Sequence, residues 1–280
     1  MKIFLDTRDI INLFEKNIPC SVEFFRNKMS SNGHQLVLSF ASVMEIVAPL
    51  LQKNTSTSVM RLLNHIESVP VTFIKANTSQ LELAEAIRSY CNGTEYCKIH
   101  PFVSSFAEVP IGHPENKHAL KMSLSEVVFG LWTHSPDILK GFNKYHAEMI
   151  RVLNEDRTEE WPPSLGDHFA VVVARHLKKG KFEFPRSELR AFAQWIYDNP
   201  LRCPGFRLGY EVYHKLRYNK TDKAKTGDIA DFSHVDYLPY VDMITLDRRM
   251  TTYTRQAWSA LGVDYGSSLY NTAEDILSKL

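Results

Sequence analysis

The most constraining feature of the sequence is a short apolar strand at each end of the chain that runs into an aspartate. Residues 2–5 (KIFL) stop at Asp6, and residues 241–246 (VDMITL) stop at Asp247. Apolar residues at helical spacing follow each aspartate, so both ends indicate a strand-to-helix unit. Such units favour a parallel sheet covered by helices, with ligand sites outside the carboxyl ends of the strands. We therefore expect the two aspartates to lie close together.

The strand-and-helix pattern covers residues 1–75 and 225–280, and long helical patterns fill residues 76–224 between them. We predict an α/β fold in which both chain ends form one parallel sheet flanked by helices, interrupted by a large helical insertion or subdomain. Further strands are predicted at 35–39, 70–74 and 263–265, and helices at 41–52, 228–238 and 248–260. Within the insertion, helices are predicted at 77–91, 115–133, 136–155, 165–179, 186–198 and 205–218.

The composition excludes several classes of protein. The chain has 280 residues, of which 44% are hydrophobic, and a formal net charge of +1, so it can form a core and is not a polybasic binder. No apolar run approaches the about 20 residues that span a bilayer, and the N-terminus lacks the features of a signal peptide. The four cysteines are too few and too scattered for a disulfide framework. We therefore expect a cytoplasmic protein with no membrane association.

Three further acidic residues are expected to lie near the two strand-end aspartates. Glu45 lies on the helix after the second strand, and Asp228 and Asp231 lie one turn apart on the helix before the last long strand. Like charges about 4 Å apart repel by on the order of 4 kcal/mol at an effective dielectric near 20, which a cation would relieve. Carboxylate ligands without cysteine or histidine suit Mg²⁺ or Mn²⁺ rather than Zn²⁺.

Each of these acids also has an ordinary structural explanation. Asp6 would suit the start of a helix, for which Asp9 is the predicted cap, and Asp228 would suit the start of another. Ser42-x-x-Glu45 matches a capping box, and Asp247 could be a turn residue. The metal hypothesis therefore depends on the joint placement of the acids at strand ends.

Three stretches of the sequence resemble the PIN-domain ribonucleases. The opening KIFLDTRDIINLFE is similar to the strand, Asp-Thr-Asn and apolar helix with which that family begins, and SFASVMEIVAPL is similar to its second acidic segment. The tail GDIADFSHVDYLPYVDMITLDRRM strongly resembles the closing motif of the family, in the form of a bacterial branch. The resemblance covers a little under half of the chain. It implies a metal-dependent nuclease acting on single-stranded or structured RNA, and many such proteins are toxins of toxin–antitoxin pairs.

The resemblance also implies roles for individual residues. Asp6 would ligate the metal from the first strand, Glu45 would be a direct or indirect acidic ligand, and Asp247 would complete the site. Asp228 and Asp231 compete for the remaining acidic position, with Asp231 slightly favoured because it lies one turn before His234. Thr245 would lie near the metal-bound water.

Basic residues near the motifs are candidates for binding substrate. The family commonly has Asn or Ser where this chain has Arg8, whose guanidinium would either hold a phosphate bidentately or pair with the acids and weaken metal binding. Arg248 follows Asp247, and Arg217 and Lys220 belong to a basic segment, 202–225, that also carries aromatic residues. That segment is either a surface for unpaired bases or an ordinary helix with its tyrosines packed inward.

These observations predict an Mg²⁺- or Mn²⁺-dependent endoribonuclease, in which a metal-activated water attacks the phosphodiester. RNA is the expected partner, and single-stranded DNA, an antitoxin or other protein partner, and a homodimer are left open. The first competing hypothesis is a catalytically inactive PIN-like module that binds nucleic acid or protein. The second is a phosphatase, which is less favoured because Asp6-Thr-Arg-Asp9 lacks the Asp-x-Asp spacing of an aspartyl-phosphate nucleophile.

Overall fold

The fold is α/β, with a mixed six-stranded sheet flanked by helices. The computed structural model describes residues 1–15, 22–51, 56–109, 118–156, 164–219, 221–223, 225 and 227–280. The strands lie in the order β4-β3-β2-β1-β5-β6. They span Lys2–Phe4 (β1), Gln35–Leu38 (β2), Val71–Ile74 (β3), Phe102–Val103 (β4), Met243–Thr245 (β5) and Ser268–Tyr270 (β6).

Strand β1 lies at the centre of the sheet, parallel to β2 on one side and to β5 on the other. The prediction that the ends of the chain share one sheet is therefore confirmed. The prediction that the sheet is parallel is wrong at its edge, where β4 pairs antiparallel with β3. A two-residue strand after Pro101 is too short to show alternation, so the sequence pattern could not reveal it.

Most of the predicted helices are present, and a further helix, Ser56–Glu67, lies where the sequence pattern predicts none. Five of the six helical patterns predicted between 76 and 224 correspond to helices. The one predicted at 115–133 begins outside the described residues, and within them it is wrong at its start: residues 119–121 form a 3-10 turn, Met122 is extended, and the α-helix begins at Leu124 because Ser123 caps it. The helices are Thr7–Phe14 (α1), Val22–Ser31 (α2), Phe40–Val47 (α3), Ser56–Glu67 (α4), Thr78–Asn92 (α5), Leu124–His134 (α6), Pro136–Asp156 (α7), Leu165–Lys179 (α8), Leu189–Asp198 (α9), Pro204–Tyr218 (α10), Asp228–Val235 (α11), Arg248–Leu261 (α12) and Ala273–Leu277 (α13).

Alternate side chains of the central strands enter two different cores. Ile3 and Leu5 pack with residues of α1–α4 on one face of the sheet. Phe4, between them in sequence, packs with residues of α10–α12 on the other face. Because side chains of a strand point alternately to the two faces, β1 is buried on both sides and is fixed in position by both layers.

The helical segment between the two α/β parts has a core of its own and also covers the sheet. Phe169, Phe192 and Phe206 belong to a third apolar cluster formed by α5, α8, α9 and α10. Helix α10 also packs against the sheet through Leu208 and Val212, and α6 joins the opposite layer. Among the described helices, none combines the length and the apolar character of a membrane-spanning segment.

The last predicted strand is wrong by several residues. Residues 263–265 are a connection, in which the carbonyl of Val263 accepts a hydrogen bond from the indole of Trp258 at 2.6 Å and the ring of Tyr265 is buried. The strand that pairs with β5 is Ser268–Tyr270, beyond the turn at Gly266. A run of three residues gives too little pattern to place a strand within such a segment.

Candidate metal centre

The candidate site lies at the carboxyl ends of β1 and β5. The chain leaves β1 towards β2, whereas β5 lies on the other side of β1, so this is a switch point of the sheet, where open α/β folds bind ligands. Asp6 follows β1, and Asp247 follows β5 by two residues. The hydroxyl of Thr245 accepts a hydrogen bond from the backbone N–H of Asp6 at 2.8 Å, which joins the two strand ends.

Asp6 occupies the N-cap position of α1; its carboxylate makes no regular capping hydrogen bond, although the backbone N–H of Arg8 acts on it and lowers its pKa. It is 8% exposed. Burial and the charge of Asp9 raise its pKa to about 6, although the guanidinium of Arg8 acts in the opposite direction. The interpretation of Asp6 as an ordinary helix-capping acid therefore does not explain its position. Its side chain is held among other acids at an electrostatic cost.

Glu45 faces the same site from α3. The capping box proposed for Ser42 and Glu45 is wrong, because the cap of this helix is Ser39, whose hydroxyl accepts a bond from the N–H of Ser42. The carboxylate of Glu45 instead accepts a hydrogen bond from the hydroxyl of Thr7 at 2.6 Å. Burial raises the pKa of Glu45 to about 7, with a smaller contribution from the charge of Asp6.

Asp231 is the acid on which the other charges converge. Burial, followed by the charges of Asp6, Asp247, Glu45 and Asp228, raises its pKa to about 8. Carboxylates from β1, α3, α11 and the start of α12 therefore act on one another at this edge of the sheet, as the sequence predicts. Asp247 also caps α12 through Oδ1, which accepts from the N–H of Met250 at 2.5 Å. A cap uses one carboxylate oxygen and leaves the second for other interactions.

The two competing acids of α11 have different surroundings. One oxygen of Asp228 pairs with the guanidinium of Arg249, and the other accepts from the N–H of Lys225 at 2.6 Å. Arg249 in turn binds Asp222 at 2.6 Å. The charge of Asp228 is thus balanced by a neighbouring cation, whereas Asp231 is buried among acids. The geometry favours Asp231 as the member of the site.

Two residues of the site are missed by the sequence reasoning. Asp9 is not the cap of α1; it lies in the first turn, is 3% exposed, and its carboxylate is 3.4 Å from the guanidinium of Arg8. Burial raises its pKa. Its spacing of three residues from Asp6 places both acids on one face of the helix, which is the signal that could have identified it.

His234 is the second missed residue, and it is fully buried one turn after Asp231. Asp6, Asp231 and His234 each offer one donor atom within 4.8 Å of the others. Nδ1 of His234 has no hydrogen-bond partner among the described residues, and Nε2 lies 3.4 Å from the hydroxyl of Ser42. Burial lowers the pKa of His234 to about 3. Buried carboxylates and a neutral imidazole form a donor set that fits a divalent cation.

The predicted substrate-binding residues are placed differently from one another. Arg8 is half exposed, 3.8 Å from the carboxylate of Asp6, and Arg248 is exposed at the start of α12. Thr245 is fully buried and connects strand ends through its hydroxyl. Arg217 is buried within α10 and is not part of an open basic surface, and Lys220 lies outside the described residues.

The aromatic residues of the basic segment 202–225 are divided between core and surface. Phe206 and Tyr210 are buried, and the guanidinium of the equally buried Arg207 stacks on the rings of Phe169 and Tyr197. Tyr218 is 64% exposed. The first half of the segment is therefore a packed helix, as in the simpler of its two interpretations.

Comparison of the chain with known proteins identified no matching family model, no matching curated protein and no matching solved structure. The case for a function therefore depends on the geometry of the site.

Proposed function

We propose that the protein is a metal-dependent nuclease of the PIN type that cleaves RNA. The observation that carries this proposal is the convergence of Asp6, Glu45, Asp231 and Asp247 from four separate elements at the switch point of the sheet. The raised pKa values show that ionising these buried acids together is unfavourable. Sites that tolerate such a cost are typical of function rather than of stability.

The residues of the site suggest how phosphodiester hydrolysis would be performed. A bound divalent cation would neutralise phosphate charge and lower the pKa of the attacking water. Asp6 and Asp231 would hold the cation, and Asp247 would support it from the end of β5. Glu45, held by Thr7, is placed to accept a proton, since its pKa of about 7 leaves it partly ionised near neutral pH. Arg8, at the exposed side, would bind the scissile phosphate.

Exposed cations beyond the site support a polyanionic substrate. Arg175, Lys178, Arg186 and Arg190 line a groove of about 450 Å³ beside α8, which Asp167 also lines and where it pairs with Arg190 at 2.5 Å. Arg175 also lines a neighbouring cavity of about 390 Å³. Phe232, which follows Asp231 on α11, lines the same cavity. Guanidinium and ammonium groups bind phosphates, and aromatic faces stack on unpaired bases. The resemblance of the closing motif to PIN-domain ribonucleases favours RNA among such substrates.

The test is cleavage of end-labelled single-stranded RNA in Mg²⁺ or Mn²⁺, with single-stranded DNA in parallel. We expect wild-type protein to cleave RNA, and Asp6→Asn and Asp247→Asn each to reduce the rate by 100-fold or more, roughly the effect of losing one essential electrostatic contact. Asp242→Asn is the matched control. It is exposed, lies at the opposite end of the strand that leads to Asp247, and binds the N–H of Lys2 at 2.6 Å. Its activity should equal that of wild type.

Three outcomes would contradict the proposal. The first is no cleavage of any nucleic acid by wild-type protein in either metal, and the second is full activity in both site variants. The third is loss of activity in Asp242→Asn to the same extent as in Asp247→Asn. A wild-type protein that binds RNA but neither cleaves it nor binds a cation would support the inactive PIN-like module. In that case Arg8, 3.4 Å from Asp9, acts as the counter-charge of the acids.

A further inference from the structure

We infer that His234 is a nitrogen ligand of the cation, and that the centre therefore selects a first-row transition ion over Mg²⁺. The inference rests on the proposed function only in requiring that the acids bind a cation. Its basis is the group formed by Asp6, Asp231 and His234, whose donor atoms lie within 4.8 Å of one another. Asp6 comes from the end of β1 and the other two from α11, so the group joins two separate elements.

The two ring nitrogens of His234 make only one hydrogen bond within the described part of the chain, and that one is long, although the ring is fully buried. Nε2 is 3.4 Å from the hydroxyl of Ser42, a long contact, and Nδ1 has no partner among the described residues. A neutral imidazole carries one N–H and one lone pair, so donation from Nε2 leaves the lone pair on Nδ1. Burying a polar atom without a partner is unfavourable. A cation at the acids would use this lone pair.

Two other histidines of the chain, the half-buried His176 and the buried His168, have short ring contacts outside the acidic group. Nδ1 of His176 donates to the carbonyl of Val172 at 2.9 Å, and Nδ1 of His168 is 2.7 Å from the hydroxyl of Tyr210. Both contacts are short and lie away from the acidic residues of the site. His234 has the longest such contact of the three, and it is the one that lies beside Asp6 and Asp231. Among these three histidines, and within the described ranges, only His234 belongs to a group of acids and histidine whose donor atoms could share a metal ion.

A nitrogen donor changes which metal the site prefers. Mg²⁺ takes oxygen ligands and keeps several of its waters, whereas imidazole is a common ligand of first-row transition ions. With carboxylates alone, the site would have little reason to distinguish Mg²⁺ from Mn²⁺. The addition of His234 predicts that Mn²⁺ binds more tightly than Mg²⁺, and that the preference depends on the imidazole.

The experiment uses Mn²⁺ alone as the probe, with no substrate. Electron spin echo spectroscopy of Mn²⁺ bound to the full-length protein should show modulation from a directly bound ¹⁴N, and the modulation should change to that of ¹⁵N when the protein is labelled with ¹⁵N-histidine. His234→Gln should abolish the signal and weaken Mn²⁺ binding roughly tenfold or more. Its affinity for Mg²⁺, measured by competition, should change much less.

His146→Gln is the matched control, because His146 is also buried and its charge acts on His234. It should keep both the nitrogen signal and the preference for Mn²⁺. Bound Mn²⁺ without a nitrogen signal in wild-type protein would overturn the inference while leaving the carboxylate centre intact. Loss of the signal in His146→Gln but not in His234→Gln would also overturn it. Absence of Mn²⁺ binding by wild-type protein would overturn the inference, and absence of both Mn²⁺ and Mg²⁺ binding would overturn the proposed function as well. The labelling experiment needs no variant, so the absence of nitrogen modulation from bound Mn²⁺ in the wild-type protein still overturns the inference if His234→Gln does not fold.

Discussion

Thr7 controls the charge of Glu45 through one hydrogen bond. Its hydroxyl donates to the Glu45 carboxylate at 2.6 Å, and this contact lowers a pKa that burial raises. We predict that Thr7→Val, which keeps the shape of the side chain and removes the donor, raises the pKa of Glu45 above its present value of about 7. Less of the carboxylate is then ionised at neutral pH. Isothermal titration should show several-fold weaker Mn²⁺ binding at pH 7 and recovery at pH 9.

Thr7→Ser is the matched control for this prediction, because it restores the hydroxyl and removes a methyl group. It should bind Mn²⁺ at pH 7 nearly as well as the wild type. If Thr7→Val and Thr7→Ser weakened binding equally at every pH, the effect of Thr7 would be one of packing, and its hydrogen bond to Glu45 would not tune the site.

The sequence predicts the site residues that follow strands more successfully than those that depend on helix packing. Asp6 and Asp247 were identifiable because an apolar strand ends just before each of them. Asp9 has the alternative explanation of a helix cap and His234 that of a core histidine, and only the packing of α1 and α11 shows that both face the acids. The sequence predicts Thr245 near the site, but not that its hydroxyl accepts from the backbone N–H of Asp6 and also makes a hydrogen bond that lowers the pKa of Asp9.

Helix α11 carries two acids one turn apart that we expect to have different functions. Asp228 pairs with Arg249 and accepts a backbone hydrogen bond, whereas Asp231 is raised in pKa by the other acids of the site. We predict that Asp228→Asn destabilises the protein by about 1–3 kcal/mol, because it weakens a buried charge-assisted contact. The Mn²⁺ affinity of the Asp228→Asn variant should change less than about threefold. A tenfold change would correspond to the loss of about 1.4 kcal/mol of binding free energy.

Asp231→Asn is the partner of this experiment on the same helix face. It should weaken Mn²⁺ binding by more than tenfold without destabilising the metal-free protein, since the amide is neutral where the carboxylate is costly to ionise. Denaturant unfolding without metal and calorimetric titration with Mn²⁺ measure the two effects separately. The opposite pattern, with Asp228→Asn abolishing Mn²⁺ binding, would assign the metal to Asp228.

Elements with strong local signals were predictable, and those defined by tertiary pairing were not. Helices α5 and α7–α10 lie within a few residues of their predicted bounds, because long apolar periodicity and prolines determine them. Strand β4 has two residues, and β6 follows a turn at Gly266 rather than the apolar residues at 263–265. Both strands exist because a neighbouring strand supplies the pairing, which the sequence of the segment itself does not show.

The raised pKa values of the site acids affect the stability of the whole folded protein. The folded protein holds Asp6, Glu45 and Asp231 with pKa values of about 6, 7 and 8, against 3.8, 4.5 and 3.8 for the ordinary groups. Between about pH 4 and pH 8 the folded state therefore binds more protons than the unfolded state. A raised carboxyl pKa contributes stability that is present below the ordinary value and is lost as the pH rises through the folded value. Stability of the metal-free protein should consequently fall across this range.

A bound cation should reverse this dependence, because it replaces the protons that the acids hold at low pH. We predict that the Tm of the metal-free protein falls by roughly 5 °C or more from pH 5.5 to pH 8.5, at about 2–4 °C per kcal/mol for a protein of this size. Saturating Mn²⁺ should raise the Tm more at pH 8.5 than at pH 5.5. Asp231→Asn removes the acid of the site with the highest pKa, so its metal-free Tm should depend less on pH. Equal Mn²⁺ shifts at both pH values, or an unchanged pH dependence in Asp231→Asn, would show that the acids do not exchange protons for a cation.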